Sequence, residues 1–255
     1  MGEMATRDEI ISYLDGLLEI GSFSDYGPNG LQVVGANDVT SVVTGVSAQA
    51  ELFERAAAAG AQLVLCHHGL FWDFHARTIG SAMKTRLQLL FGSDISLAGY
   101  HLPLDAHPEV GNNALICAEL GLEPSERFAD HKGRPIGLVG RSAAGIPFAD
   151  LHARCAAAFG REPFAWEAGP DAIHSVGIVS GGGASYFAEA VAAGLDAFIT
   201  GEPAEHVMAD ARENGVHFVA GGHYATEVFG IRRLGELVSE RFAVDHRFVD
   251  VPNPI

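Results

Sequence analysis

Basic side chains are scarce in this chain: 16 Lys and Arg stand against 32 Asp and Glu over 255 residues, a formal charge of −16. Such a surface repels a polyphosphate backbone unless a local patch overrides it, and the densest basic clusters are short: Lys84-Thr85-Arg86, His131-Lys132-Gly133-Arg134 and Arg232-Arg233. Nucleic-acid binding is disfavoured, while a small anionic ligand stays admissible. Cysteine is scarcer still. Cys66, Cys117 and Cys155 show no CxxC or CxH spacing and lie in apolar stretches, so they read as reduced core residues and not as a disulfide frame or a zinc knuckle. No apolar run approaches the roughly 20 residues that cross a bilayer. The opening Met1-Gly2-Glu3-Met4-Ala5-Thr6-Arg7-Asp8 is polar and acidic where a secretory signal needs a basic start and an apolar core. A cytoplasmic protein with no membrane partner is expected.

What is present is 48% hydrophobic residues with 31 glycines, the composition of a compact α/β protein, and a length that admits one large or two modest domains. The chain aligns on itself. Val43-Thr44-Gly45-Val46-Ser47, an alanine-rich segment and Ala58 to His68 lie, with one gap, over Gly177-Ile178-Val179-Ser180 and Phe187 to Glu202. In that register His67-His68 superpose on Gly201-Glu202, and Ala98-Gly99-Tyr100-His101-x3-Asp105 lies over Ala220-Gly221-Gly222-His223-x3-Glu227. Each half alternates short apolar strands with helices that end in glycine, at Gly60, Gly121, Gly194 and Gly215. The expected fold is α/β: two similar repeats, residues 1–125 and 126–255, with mixed, mostly parallel sheets, packed about a pseudo-twofold axis with a cleft between them. The polar stretch from Glu123 to Pro135, bounded by prolines, reads as a linker.

The chemistry gathers at strand ends, where open α/β proteins bind ligands. Cys66-His67-His68-Gly69 follows Gln62-Leu63-Val64-Leu65, His101-x3-Asp105 follows Ile95 to Gly99, and His223-x3-Glu227 follows Val216 to Ala220. Imidazoles and carboxylates together are the donors of a transition-metal site suited to Zn, Mn, Fe, Co or Ni. Adjacent histidines diverge on an extended strand, so they serve two ions, or one after the strand bends. In a His-x3-acid segment both side chains share a face if the intervening residues turn helically. His101 and Glu202 end core strands at repeat-related positions and read either as ligands or as hydrogen-bond partners of the ligands, and both are candidates to shuttle a proton. His75, His107, His131, His152, His174, His217 and His246 are read as structural, Asp25, Asn29 and Gln32 either as groups that orient ligands or, in preference, as turn formers, and Gly181-Gly182-Gly183 as a tight turn.

These segments resemble the NIF-three-like family of dinuclear-metal proteins, also labelled GTP cyclohydrolase 1 type 2 homologues. The matching motifs are Asp25-x3-Asn29-Gly30-Leu31-Gln32-Val33, His67-His68-Gly69-Leu70-Phe71-Trp72, Tyr100-His101-Leu102-Pro103-Leu104-Asp105, Thr200-Gly201-Glu202, Gly222-His223-Tyr224-Ala225-Thr226-Glu227 and Pro252-Asn253-Pro254. The resemblance implies that His67, His68, Asp105, His223 and Glu227 hold two divalent metal ions, with Glu227 bridging. It implies a toroidal homohexamer, and no inserted middle domain is present here. It also implies a hydrolase that uses a metal-bound hydroxide to open the purine of GTP, with Lys84 and Arg86 as candidates for the triphosphate. A non-catalytic metal-binding or protein-interaction role is the alternative. After Trp72 the chain departs from the family pattern: Asp73-Phe74-His75 stands where a lysine and a small acidic turn are expected of relatives.

Overall fold

The computed structural model describes residues 5–255, so Met1 to Met4, half of the leader reading, lie outside the described residues. By its internal contacts the chain divides into two compact units, one gathering the residues through Leu104 with Gly230–Val251, the other Asp105–Phe229 with Pro252–Ile255.

The first unit opens with β1 (Ala5–Thr6) and α1 (Arg7–Leu17), whose first turn is closed by a reciprocal capping box between Thr6 and Glu9. Next come β2 (Gly30–Val33), β3 (Asp38–Val39), β4 (Ser41–Ser47), α2 (Ala50–Ala58), β5 (Leu63–His68), α3 (Ser81–Gly92) and β6 (Ser96–Gly99). Strands β4 and β5 are near-continuous apolar runs because both faces of their sheet are covered. Val43, Val64, Leu97, Leu52, Phe53 and Leu90 pack together in the core. A short helix, α4 (Leu102–Ala106), then carries the chain across the boundary between the units.

The second unit contains α5 (Asn112–Glu119), β7 (Glu123–His131), β8 (Arg134–Ile146), α6 (Phe148–Phe159), β9 (Phe164–Trp166) and β10 (Ile173–Val179). It continues with α7 (Phe187–Ala192), β11 (Ala197–Thr200), α8 (Val207–Asn214), β12 (His217–Ala220) and the single turn α9 (His223–Thr226). Its core joins Leu151, Cys155, Val176, Ile178, Ile199 and Val219. The six-stranded order is β7-β8-β10-β11-β12-β9. Helix α10 (Val228–Phe242) leads the chain back to β13 (Asp245–Phe248), which completes the first sheet in the order β13-β4-β5-β6-β2.

The internal repeat is visible in the pairing. In the first sheet β4, β5 and β6 run parallel, and β2, which precedes them in the chain, pairs antiparallel with β6. In the second, β10, β11 and β12 run parallel, and β9, which precedes them, pairs antiparallel with β12. The predicted helix-ending glycines all adopt positive φ, between 65° and 70° at Gly60, Gly121, Gly194 and Gly215. Among the described residues no helix is long and apolar enough to cross a membrane.

The linker reading of Glu123 to Pro135 is corrected. These residues are β7 and the start of β8, an antiparallel hairpin turned by Lys132 and Gly133 at φ 51° and 88°. Strand β7 lies at the sheet edge and is mostly exposed, so its sequence is polar for the same reason a linker's would be. Pro124 falls where the pairing register shifts, a place that needs no ladder hydrogen bond.

Candidate metal centre

In the first unit the parallel strands β5 and β6 end side by side, which sets His67-His68 next to Tyr100-His101. His67 is fully buried, and its Nδ1 lies 2.8 Å from the Tyr100 carbonyl. A carbonyl can only accept, so Nδ1 carries the proton and Nε2 is the basic nitrogen of the ring. His68 places Nδ1 3.2 Å from the Ser47 hydroxyl. The divergence expected of neighbouring strand residues is absent at this strand end: the two rings sit 4.8 Å apart, with His101 5.1 Å and 5.5 Å from them. One nitrogen from each of His67, His68 and His101 falls within 4.8 Å of the others, a group that could hold a metal ion.

His101 is fixed by residues for which the sequence allowed both ligand orientation and, in preference, turn formation. Asp25 Oδ1 accepts from His101 Nδ1 at 2.7 Å and from its own neighbour Tyr26 N at 2.7 Å. Asp25 Oδ2 accepts from Leu102 N at 3.0 Å and Asn29 Nδ2 at 2.9 Å, while Asn29 Oδ1 accepts from His101 N at 2.7 Å. Burial alone would raise the Asp25 pKa, but the His101 hydrogen bond and charge, with Asn29 and the Tyr26 amide, bring it down from 3.8 to about 2. Gln32 fills the space between the two strand ends, accepting from Leu70 N and donating to Pro28 O, each at 2.8 Å. A Cβ on Gly69 would lie 2.3 Å from its amide, which explains a glycine directly after the histidine pair. Asp25 and Asn29 thus make their local turn and also reach more than 70 residues along the chain, and the second role has no local sequence signature.

In the second unit the loops after β10, β11 and β12 carry Ser180 to Gly183, Glu202, and His223 with Glu227. Helix α9 supplies the turn that places His223 and Glu227 on one face, Nε2 to Oε1 at 3.1 Å. The His223 Nδ1 donates to Glu202, so the repeat-related position that aligns with His68 serves here as a carboxylate holding a histidine. Burial opposes charge on His223, but Glu227 and Glu202 raise its pKa to about 9. Glu227 is 2% exposed, and Gly181, at φ +62°, passes so close that a Cβ would lie 2.1 Å from its Oε1. The glycine run is therefore a tight turn, as read, whose use is to admit this carboxylate.

Asp105 is also buried, and its Oδ1 accepts from Ser180 Oγ at 2.9 Å and Asn112 Nδ2 at 2.8 Å. Asn113 ties the same loop together, donating to the Ile136 and Asp105 carbonyls and accepting from Ser180 N. These asparagines and Ser180 escaped the sequence reading because nothing local marks them. Lys84 is exposed and Arg86 half-buried on α3. The three cysteines are buried free thiols; burial pushes Cys66 upward, Cys117 to about 11 (with Glu123 adding) and Cys155 to about 12, so none is poised as a thiolate ligand.

Compared with known proteins, residues 5–254 match the family model described as Duf34/NIF3 (NGG1p interacting factor 3). A Pseudomonas aeruginosa protein named GTP cyclohydrolase 1 type 2 homolog is 42% identical, over 96% of this chain and 97% of its own. An Escherichia coli K12 protein of the same name is 41% identical, over 96% and 98%. Among solved structures, protein ybgI, described as of unknown function, superposes with a TM-score of 0.93 at 40% identity, covering 98% of this chain and 100% of its own. A Thermus thermophilus protein gives 0.88 at 35% identity, with 98% and 100% coverage.

Proposed function

Because this chain belongs to the Duf34/NIF3 family, we propose that it is a dinuclear metal-dependent hydrolase, GTP cyclohydrolase 1 type 2-like. His67, His68, Asp105, His223 and Glu227 would hold two divalent cations. The observation that carries the proposal is how the ring nitrogens are committed. His67 and His223, two of the proposed ligands, each give Nδ1 to an acceptor, a carbonyl or a carboxylate, which makes Nε2 the nitrogen that would meet a cation, in His223 in place of the proton it turns toward Glu227. That is the support a metal-ligating histidine ordinarily has. Buried Asp105 and Glu227 fit the same chemistry, since a divalent cation offsets the cost of burying their charge. The donor set suits Zn, Mn, Fe, Co or Ni.

Bound cations would supply Lewis acidity toward a substrate oxygen and toward water. The protein's own part is to hold donors and move protons. With Nδ1 held by ionised Asp25, His101 can take a proton at Nε2 and return it. Glu202 orients His223 through its Nδ1. Lys84 and Arg86 are the proposed contacts for a triphosphate tail. Self-association as a toroidal homohexamer belongs to the same proposal, and sedimentation velocity tests it.

Elemental analysis of protein purified without added metal should find two transition-metal ions per chain. The loaded protein, assayed against GTP and a panel of phosphoesters and cyclic amides, should turn over at least one, and Glu227→Ala should abolish that turnover. A non-catalytic, partner-binding role draws support from the family's description as an interacting factor. Protein that binds two metals yet is inert on every compound would select it.

A further inference from the structure

We propose that the aromatic lip beside the first unit's histidines is a platform for a planar heteroaromatic ring, the purine of the substrate; its substrate class rests on the hydrolase reading above. Of the lip, Phe74 belongs to the short stretch after Trp72 where the sequence is expected to differ from its relatives. The Trp72 indole is held by its Nε1–H, which donates to the Gly69 carbonyl at 3.1 Å. Phe74 stacks on it, with centroids 5.6 Å apart and planes 22° from parallel. The indole stands edge-on to His101 at 5.1 Å and lies 5.9 Å from His68. The Tyr26 ring lies 6.3 Å from His101.

Phe74 is 70% exposed, and Tyr26 and Phe71 are 43% and 41% exposed. Aromatic surface concentrated at one place and left to water marks a binding surface. The cleft beside it, lined by Pro28, His67, Phe71, Trp72 and His101, has room for about one water, so a ring would lie on the exposed aromatic surface and not enter the cleft. Stacking also suits a protein of this charge: a net −16 does nothing to attract a polyanion, whereas every nucleobase presents a π-face whatever its substituents.

The chain has two tryptophans, so a Trp166→Phe background leaves Trp72 as the sole indole reporter. Metal-stripped and metal-loaded protein would be titrated with guanosine, GTP and ribose 5-phosphate while Trp72 emission is followed. Guanosine and GTP should quench saturably and ribose 5-phosphate should not. Phe74→Ala should weaken guanosine binding by roughly five- to a hundredfold with metal stoichiometry intact. Absence of saturable guanosine quenching, or an unchanged affinity in Phe74→Ala, overturns the platform. So does a Phe74→Ala protein that falls apart in sedimentation velocity while binding guanosine as before, which would make the lip a self-association surface. Ring binding without turnover would sink the catalytic reading and leave the platform standing; turnover without ring binding would do the reverse.

Discussion

Replacing Asp25 by Asn isolates the contribution of the carboxylate that holds His101. The side chain is 3% exposed and accepts four N–H donors, two on each oxygen. Asparagine keeps the shape, but its amide NH₂ must replace one oxygen, and on either side it would then face two donors instead of receiving them. Two charge-assisted hydrogen bonds are lost with the charge itself, a cost of about 3 kcal/mol. The same contacts, expressed through the pKa they depress, give a similar figure. Lowering the pKa from 3.8 to about 2 corresponds to roughly 2.5 kcal/mol of stability at neutral pH. At about 3 °C per kcal/mol for a chain of this size, metal-stripped Asp25→Asn should melt roughly 9 °C below the parent at pH 7. The sign of the pH dependence follows from the depressed value: the contribution is complete above 3.8 and is lost as pH falls through 2. Calorimetry should therefore show the gap narrowing to about half near pH 3. A neutral-pH difference under about 0.5 kcal/mol, or a gap that does not change with pH, would refute the account of Asp25 as the anchor of His101.

Gly181→Ala meets both a positive φ of 62° and the Glu227 oxygen at 2.1 Å; urea unfolding should show a loss of about 2–4 kcal/mol, with metal affinity reduced as well. Ser180→Ala removes one of the two donors to Asp105 Oδ1, so isothermal titration should register a fall of about 10–100-fold in metal affinity. In the metal-free protein His223, raised to about 9, is protonated at neutral pH; titrations in two buffers of different ionisation enthalpy should reveal about one proton released from it on metal uptake. The same raised pKa means that His223 stabilises the metal-free fold fully below pH 6.5, and that this contribution disappears as pH rises through 9.

The sequence by itself determined what is written in short-range pattern and in repetition. Apolar runs such as Leu63–Leu65 are strands because their burial on both faces demands continuous hydrophobicity, and glycines at 60, 121, 194 and 215 stop helices because only they take positive φ freely. The repeated His-x3-acid spacing marked His223 and Glu227 as a pair on one helical turn, as the 3.1 Å contact between them shows. Tertiary structure decided whatever depends on residues distant in sequence. That Asp25 holds His101, that Ser180 and Asn112 hold Asp105, and that Glu202 holds His223 follow from pairings across 7 to 76 residues. No local periodicity encodes such a pairing, because a hydrogen bond depends on where two atoms meet in space. The hairpin of Glu123 to Pro135 shows the same limit from the other side: an exposed edge strand and a linker answer to the same solvent, and only pairing with β8 distinguishes them.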